Sequence, residues 1–152
     1  MKKILGLVLS LTIISGVCAA VLAYVNEITA KPIADTAEKN KAIAREAVLC
    51  GDKTGFSAEG VSNNGYGGEI RLMVGFKADK KTVISYKVLA AAETPGLGMK
   101  LSDPEWSKQF SGKSASSLKV KKDGGEIEAI TSATITSRAV CEAIADAQAK
   151  LK

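Results

Sequence analysis

Histidine is missing altogether from the 152 residues. That excludes histidine-based triads, histidine zinc sites and histidine-ligated haem in one step. Cysteine is scarce, with Cys18, Cys50 and Cys141 and no Cys-x-x-Cys spacing, so the usual four-thiolate iron–sulfur cluster is excluded as well. Cys18 falls in an apolar run. Cys50 and Cys141 either pair in an oxidising compartment or remain as two buried thiols. Aromatics are few, one Trp, three Tyr and three Phe, and nowhere do they interleave with a basic run, so nothing calls for a nucleic-acid partner. There is no repeat and no low-complexity tract.

One long hydrophobic run is present. Lys2 and Lys3 precede Ile4–Val25, a stretch of 22 residues without a charge. As a helix this spans about 33 Å at about 1.5 Å per residue, enough for a hydrocarbon core of about 30 Å. Lysines ahead of the run place the N-terminus in the cytoplasm and the remainder outside. The rival reading is a cleaved signal peptide, for which Val21-Leu22-Ala23 is a passable site. Its apolar core would normally be only about 7–15 residues, so an uncleaved anchor is the expectation. With Lys2 and Lys3 set aside, 19 basic residues face 16 acidic ones, a net +3 typical of an ordinary globular domain.

Asn26–Leu49 reads as a stalk-like helix with Pro32 near its start, an apolar side of Ile33, Ala37, Ala44 and Val48, and a polar face including Asp35, Lys41 and Arg45. Gly51–Gly68 is rich in Gly, Ser and Asn and reads as loop with one short strand. Ile70, Leu72, Val74 and Phe76 then alternate with Arg71, Met73, Gly75 and Lys77, as a half-buried strand does. Ile84, Tyr86 and Val88 alternate after the Asp79-Lys80-Lys81 turn, which predicts an antiparallel hairpin over 69–89. Asp103 and Pro104 are the N-cap and N1 of a short helix stopped at Gly112, with Trp106 and Phe110 sharing a face. Trp106 reads either as core or as a cofactor-flanking ring. Leu118–Lys121 and Ile127–Ile130, joined by Asp123-Gly124-Gly125, predict a second hairpin, with Lys119, Lys121 and Lys122 on its solvent face.

The most distinctive stretch is 128–138, where five hydroxyls (Thr131, Ser132, Thr134, Thr136, Ser137) occur in seven residues. Val140, Ala143, Ile144, Ala147 and Leu151 follow at helical spacing. Thr136 or Ser137 is the expected N-cap, which crowds hydroxyls at the positive end of a helix, where a phosphate is favoured. Read plainly, this is a β-branched segment entering a capped helix. Thr131-Ser132-Ala133-Thr134, however, resembles the Ser/Thr-Gly-Ala-Thr motif of covalently flavinylated FMN-binding domains. That resemblance implies FMN joined to Thr134 through a phosphoester and installed from FAD by a flavin transferase. Glu128 stands where the family more often has Asp, and Ser132 where it has Gly.

A second signature lies at Glu93-Thr94-Pro95-Gly96-Leu97-Gly98. Pro95-Gly96 is ordinary turn chemistry at positions i+1 and i+2. The stretch also resembles the loop of the G subunit of the Rnf electron-transport complex that meets the flavin across from the threonine motif. By that resemblance Glu93, Thr94, Gly96, Leu97 and Gly98 join Thr131, Ser132, Ala133 and Thr134 at the cofactor. Thr94 and the amides of Gly96–Gly98 are then expected to bond the ring edge, with Leu97 on its apolar face. Ala91 replaces a histidine usual in the family, so no imidazole is expected beside the flavin.

Together with Gly65-Tyr66-Gly67-Gly68, the two signatures extend the resemblance over almost the entire chain. It implies an α+β fold: a small antiparallel sheet with flanking helices, preceded by one transmembrane helix. The implied organisation is an anchor at 1–25, a helical stalk at 26–50 and an FMN-binding domain at 51–152. The implied function is electron carriage in a membrane-bound, ion-translocating ferredoxin:NAD oxidoreductase, as a redox subunit and not a stand-alone catalyst. Its partners would be the other membrane subunits and, during maturation, the flavin transferase. The implied location is the cell inner membrane, single-pass, with the C-terminal domain periplasmic or extracellular. The C subunit of a sodium-translocating NADH:quinone reductase, a stand-alone extracytoplasmic flavoprotein and a non-redox interaction module are the alternatives.

Overall fold

A computed structural model describes residues 2–151, with side chains from Ile4 to Leu151. Lys2 and Lys3, on which the expected orientation rests, lie outside the described side chains. The chain forms two compact units, Met1–Lys39 and Asn40–Lys152. The first is occupied by α1 (Lys2–Leu49), whose remaining residues belong to the second. Its apolar part is long and hydrophobic enough to cross a membrane, and its side chains are exposed, Leu5 and Leu22 at about 70%.

The second unit is built on a three-stranded antiparallel sheet in the order β1 (Phe56–Ser62), β2 (Ile70–Phe76), β3 (Val83–Ala91). The hairpin expected at 69–89 is β2–β3, and the short strand expected within 51–68 is β1. The central strand departs from the half-buried pattern. Ile70, Leu72, Val74 and Phe76 enter the main core as their alternation requires, but Met73 on the opposite face is also buried. Ala44 and Val48, at the end of α1, cover it. Neither face of β2 is left to water except at Arg71, whose cation meets Glu59 and Glu69.

The main core is closed by α3 (Thr134–Ala149), whose Ala139, Val140, Ala143, Ile144 and Ala147 are all buried. Phe110 fills one end, edge-on to Tyr86 at 5.4 Å and to Trp106 at 5.1 Å. Tyr86 donates its hydroxyl proton to the Leu101 carbonyl at 2.6 Å, which satisfies the one polar atom of a buried ring. The short helix α2 (Pro104–Ser107) starts as its cap predicts: the Asp103 carboxylate accepts from the Glu105 N–H.

The second hairpin does not form. Residues 118–130 contain a 3-10 turn at Lys121–Asp123 and one isolated bridge, Val120 to Ile127, which is parallel. Lys121 N–H donates to the Ile127 carbonyl and Ile127 N–H to the Lys119 carbonyl, a pattern that draws both Val120 and Ile127 into the core. Burying two apolar side chains on one side outweighs the alternation the sequence suggests. Lys119, Lys121 and Lys122 are exposed, though not along a strand.

All three thiols are free. Burial, with Glu142 adding to it, pushes the Cys141 thiol up to about 12, so it stays protonated and unreactive.

Candidate functional site

Helix α3 begins at Thr134, two to three residues before the expected cap. Ser132 turns the chain in the left-handed region, at φ 64°, and Ala133 is the N-cap without a side-chain acceptor. Ser137, one candidate cap, is instead a buried tie: its hydroxyl donates to the Ala133 carbonyl at 3.0 Å and accepts from Ile130 N–H at 2.9 Å. Thr136, the other, is buried with no hydrogen-bond partner for its Oγ1. The sequence shows a hydroxyl-rich run but not which hydroxyl faces inward, and that decides where the helix starts.

The left-handed Ser132 also explains why glycine suits this place: the constraint is φ, not close backbone approach. A non-glycine residue here costs roughly 1–3 kcal/mol, while glycine loses about 0.5–1 kcal/mol through a freer unfolded chain. Ser132→Gly is therefore expected to raise the melting temperature by a few degrees, about 4–8 °C per kcal/mol for a domain of this size. A thermal melt showing a decrease would mean that the serine side chain stabilises the turn.

Thr134 thus stands at the first position of a 16-residue helix, where the leading N–H groups have no intrahelical acceptor. Lys122 Nζ donates to its Oγ1 at 3.4 Å. The turn that supplies Lys122 is pinned on either side. Arg138 makes two bonds of 2.7 Å to Asp123, and Lys121 reaches Glu128 at 2.9 Å. The Arg138 bonds hold the Asp123 carboxyl below its ordinary range, and the Lys121 bond does the same for Glu128. Glu128 is exposed, and its main chain is gripped by Gln109 and by the Trp106 indole N–H at 2.7 Å. Trp106, half-buried against the main core, therefore braces the approach to the helix and does not line the cleft described next.

The second signature follows β3. Thr94 C=O accepts from Leu97 N–H at 3.2 Å and from Met99 N–H at 3.1 Å, closing a turn with Pro95 and Gly96 in the middle and Gly96 at φ 75°. This corrects one expectation. Leu97 N–H closes the loop on itself and is not free for a ring edge.

Both signatures open onto one cleft of about 500 Å³. Glu93, Thr94, Leu97 and Gly98 line it together with Ser132, Ala133 and Thr134. Gly96 and Thr131 do not line it. Tyr66, Ile135 and Thr136 complete the lining. By sequence Tyr66 stands out only within Gly65–Gly68, Thr136 reads as a helix cap, and Ile135 is unmarked. An aromatic held between glycines at Gly65-Tyr66-Gly67 was the available signal for the first of them. The cleft's size is that of a small-molecule site. A helix N-terminus, one lysine and hydroxyls on one stretch, with apolar Leu97, Ile135 and Tyr66 exposed beside them, suit a ligand with an anionic end and a flat apolar end.

Among the described residues no cluster of acidic or cysteine side chains is placed to hold a metal ion.

Residues 65–149, more than half of the chain, match the FMN-binding domain family. The chain is 43% identical over 101 residues to the G subunit of the ion-translocating oxidoreductase complex of Vibrio cholerae, covering 62% of this chain and 48% of that protein. To the protein of the same name from Vibrio atlanticus it is 38% identical over 108 residues, 66% of this chain and 51% of the other. It thus spans about half the length of these relatives. To the G subunit of the Na(+)-translocating ferredoxin:NAD(+) oxidoreductase complex of Acetobacterium woodii it is 30% identical over 186 aligned positions, covering 94% of this chain and 89% of that one. Among solved structures, Shewanella oneidensis NqrC is similar at a TM-score of 0.47 and 24% identity, over 60% of this chain and 46% of that one. With one relative matched nearly end to end and the cleft inside the matched domain, the chain belongs to the FMN-binding domain family and, within it, to the G subunits of ion-translocating oxidoreductase complexes.

Proposed function

We propose that this chain is the electron-carrying subunit of a membrane-bound, ion-translocating ferredoxin:NAD oxidoreductase, with FMN esterified through its phosphate to Thr134 Oγ1. The observation that carries the reading is the meeting of the two signatures in one cleft, with Thr134 at the start of α3 and Lys122 on its hydroxyl. Bound FMN supplies the reversible redox chemistry that no side chain of the cleft has. The protein's own part is to hold and orient. Leading N–H groups of α3 and the Lys122 ammonium offset the phosphate charge. Leu97, Ile135 and Tyr66 offer apolar surface to the ring and exclude water from it.

In attachment, the Thr134 hydroxyl oxygen displaces AMP from the flavin-side phosphorus of FAD. The new P–O bond forms as the anhydride bond breaks, and the hydroxyl proton leaves to the flavin transferase or to water. A flavin tethered in this way cannot diffuse, which suits a fixed station between the other subunits of a complex.

The uncharged run of α1 serves as a single-pass anchor, with the flavin domain on the far side of the inner membrane from the cytoplasm. One experiment tests attachment and placement together. Membranes from cells making the full chain, with and without a flavin transferase, are washed with carbonate and run on a denaturing gel. A fluorescent flavin band is expected in the pellet only with the transferase, and protease added to intact spheroplasts should remove it. A band in the carbonate supernatant would contradict the anchor, and a band protected from protease would contradict the orientation.

A further inference from the structure

Among the described residues, Glu93 is the only carboxyl group lining the cleft, and its side chain is buried, with 7% of the residue exposed. Its Oε1 accepts from Tyr66 N–H at 2.9 Å and from Gly67 N–H at 3.4 Å. Its other oxygen occupies the space beside Gly98, where an added Cβ would come within 2.4 Å of Oε2. No lysine or arginine forms an ion pair with it among the described residues. A buried carboxylate without a cation is unusual in a structural position. This one joins two loops, 65–68 and 93–98, that both reach the cleft.

Resting on the FMN reading above, we propose that Glu93 is a positioning residue with two tasks: it clamps the Tyr66 loop to the Thr94–Gly98 loop, and its charge lowers the reduction potential of the flavin bound in the cleft. The clamp follows from the two main-chain bonds, which tie down a loop whose Tyr66 is 72% exposed. The electrostatic task follows from sign. Electron uptake adds negative charge to the ring, and a fixed negative charge on the same wall opposes it, with little solvent to screen the interaction.

The two tasks separate by substitution. Glu93→Gln keeps a carbonyl oxygen for both N–H donors and removes the charge. Glu93→Ala removes both. The full-length protein, loaded by a flavin transferase and checked by intact mass, is titrated with reducing dyes, and the amides are followed by hydrogen exchange. Both variants are expected to favour the reduced flavin at least about tenfold over the parent by the Coulomb scale of a protein site, which is about 59 mV for a one-electron couple. Only Glu93→Ala should lose protection at Tyr66 and Gly67, by about tenfold or more, as expected when a hydrogen bond to a charged group is lost. A fully loaded Glu93→Gln protein with the parent potential would overturn the electrostatic task. Unchanged exchange in Glu93→Ala would overturn the clamp. Should Glu93→Ala fail to fold, Glu93→Gln decides the potential, and Glu93→Ser, whose hydroxyl is too short to reach either N–H, replaces Glu93→Ala in the exchange arm. A parent that carries no FMN would count against the cofactor reading instead, and the exchange arm would still test the clamp.

Discussion

Thr134→Ala should leave the chain folded and without covalent FMN, whereas Thr134→Ser should load. The expectation rests on where the hydroxyl sits. Thr134 is half-buried at the first position of α3, on the cleft, with a lysine on its oxygen. Removing the hydroxyl takes away the only atom there that can form the ester and disturbs no core packing. Helix α3 loses nothing else, because its start is fixed by Ser137 and not by Thr134. The loss is all-or-none in an intact-mass spectrum, and circular dichroism should be unchanged. The serine variant keeps the oxygen at the same place and loses only a methyl group. Retention of the added mass in Thr134→Ala would move attachment to Thr131, which lies off the cleft, or to Thr136, whose hydroxyl is buried.

Gly67→Ala should cost the domain more stability than any other single methyl group near the cleft. A Cβ at this position would stand 1.9 Å from the Ala92 carbonyl oxygen and 2.7 Å from its carbon. Both are backbone atoms one residue past the end of β3, so no side chain can swing aside. The loop must move away from the strand, and in moving it gives up the bonds of Tyr66 and Gly67 to Glu93. Overpacking of this kind costs about 1–3 kcal/mol, and stranding a buried carboxylate's donors adds about 1–3 kcal/mol more. At about 4–8 °C per kcal/mol, the melting temperature should fall by on the order of 10 °C or more. FMN transfer should survive, because Thr134 lies on a different element. A melt within a degree of the parent would mean that the 65–68 loop is not held against β3.

Much of this was legible in the residues. The β2–β3 hairpin was given by alternation and α2 by Asp103-Pro104, whereas the two cleft-lining signatures stood out only by resemblance, since their own turn and hydroxyl chemistry reads equally as a Pro-Gly turn and a capped helix start. What escaped was set by contacts distant in sequence. Met73 reads as a solvent-facing strand residue until Ala44 and Val48 cover it. Residues 118–130 alternate like a hairpin, but burial of both Val120 and Ile127 sets a parallel bridge instead. The start of α3 moved because Ser137 satisfies Ile130 N–H across seven residues, a partner no local capping rule names. Lys122 looked like one more solvated lysine. It stands at Thr134 on a turn pinned by Arg138 at Asp123 and by Glu128 at Lys121, partners distant in sequence.

The account's central claim is a phosphoester at one oxygen, and a single peptide decides it. Trypsin cuts after Lys122 and Arg138, so all five hydroxyls of the motif fall in residues 123–138. Fragmentation of that peptide from the full-length protein made with its flavin transferase should place FMN on Thr134 and leave Thr131, Ser132, Thr136 and Ser137 bare. FMN released intact on denaturation, or fragment ions that carry it on another hydroxyl, would contradict the account.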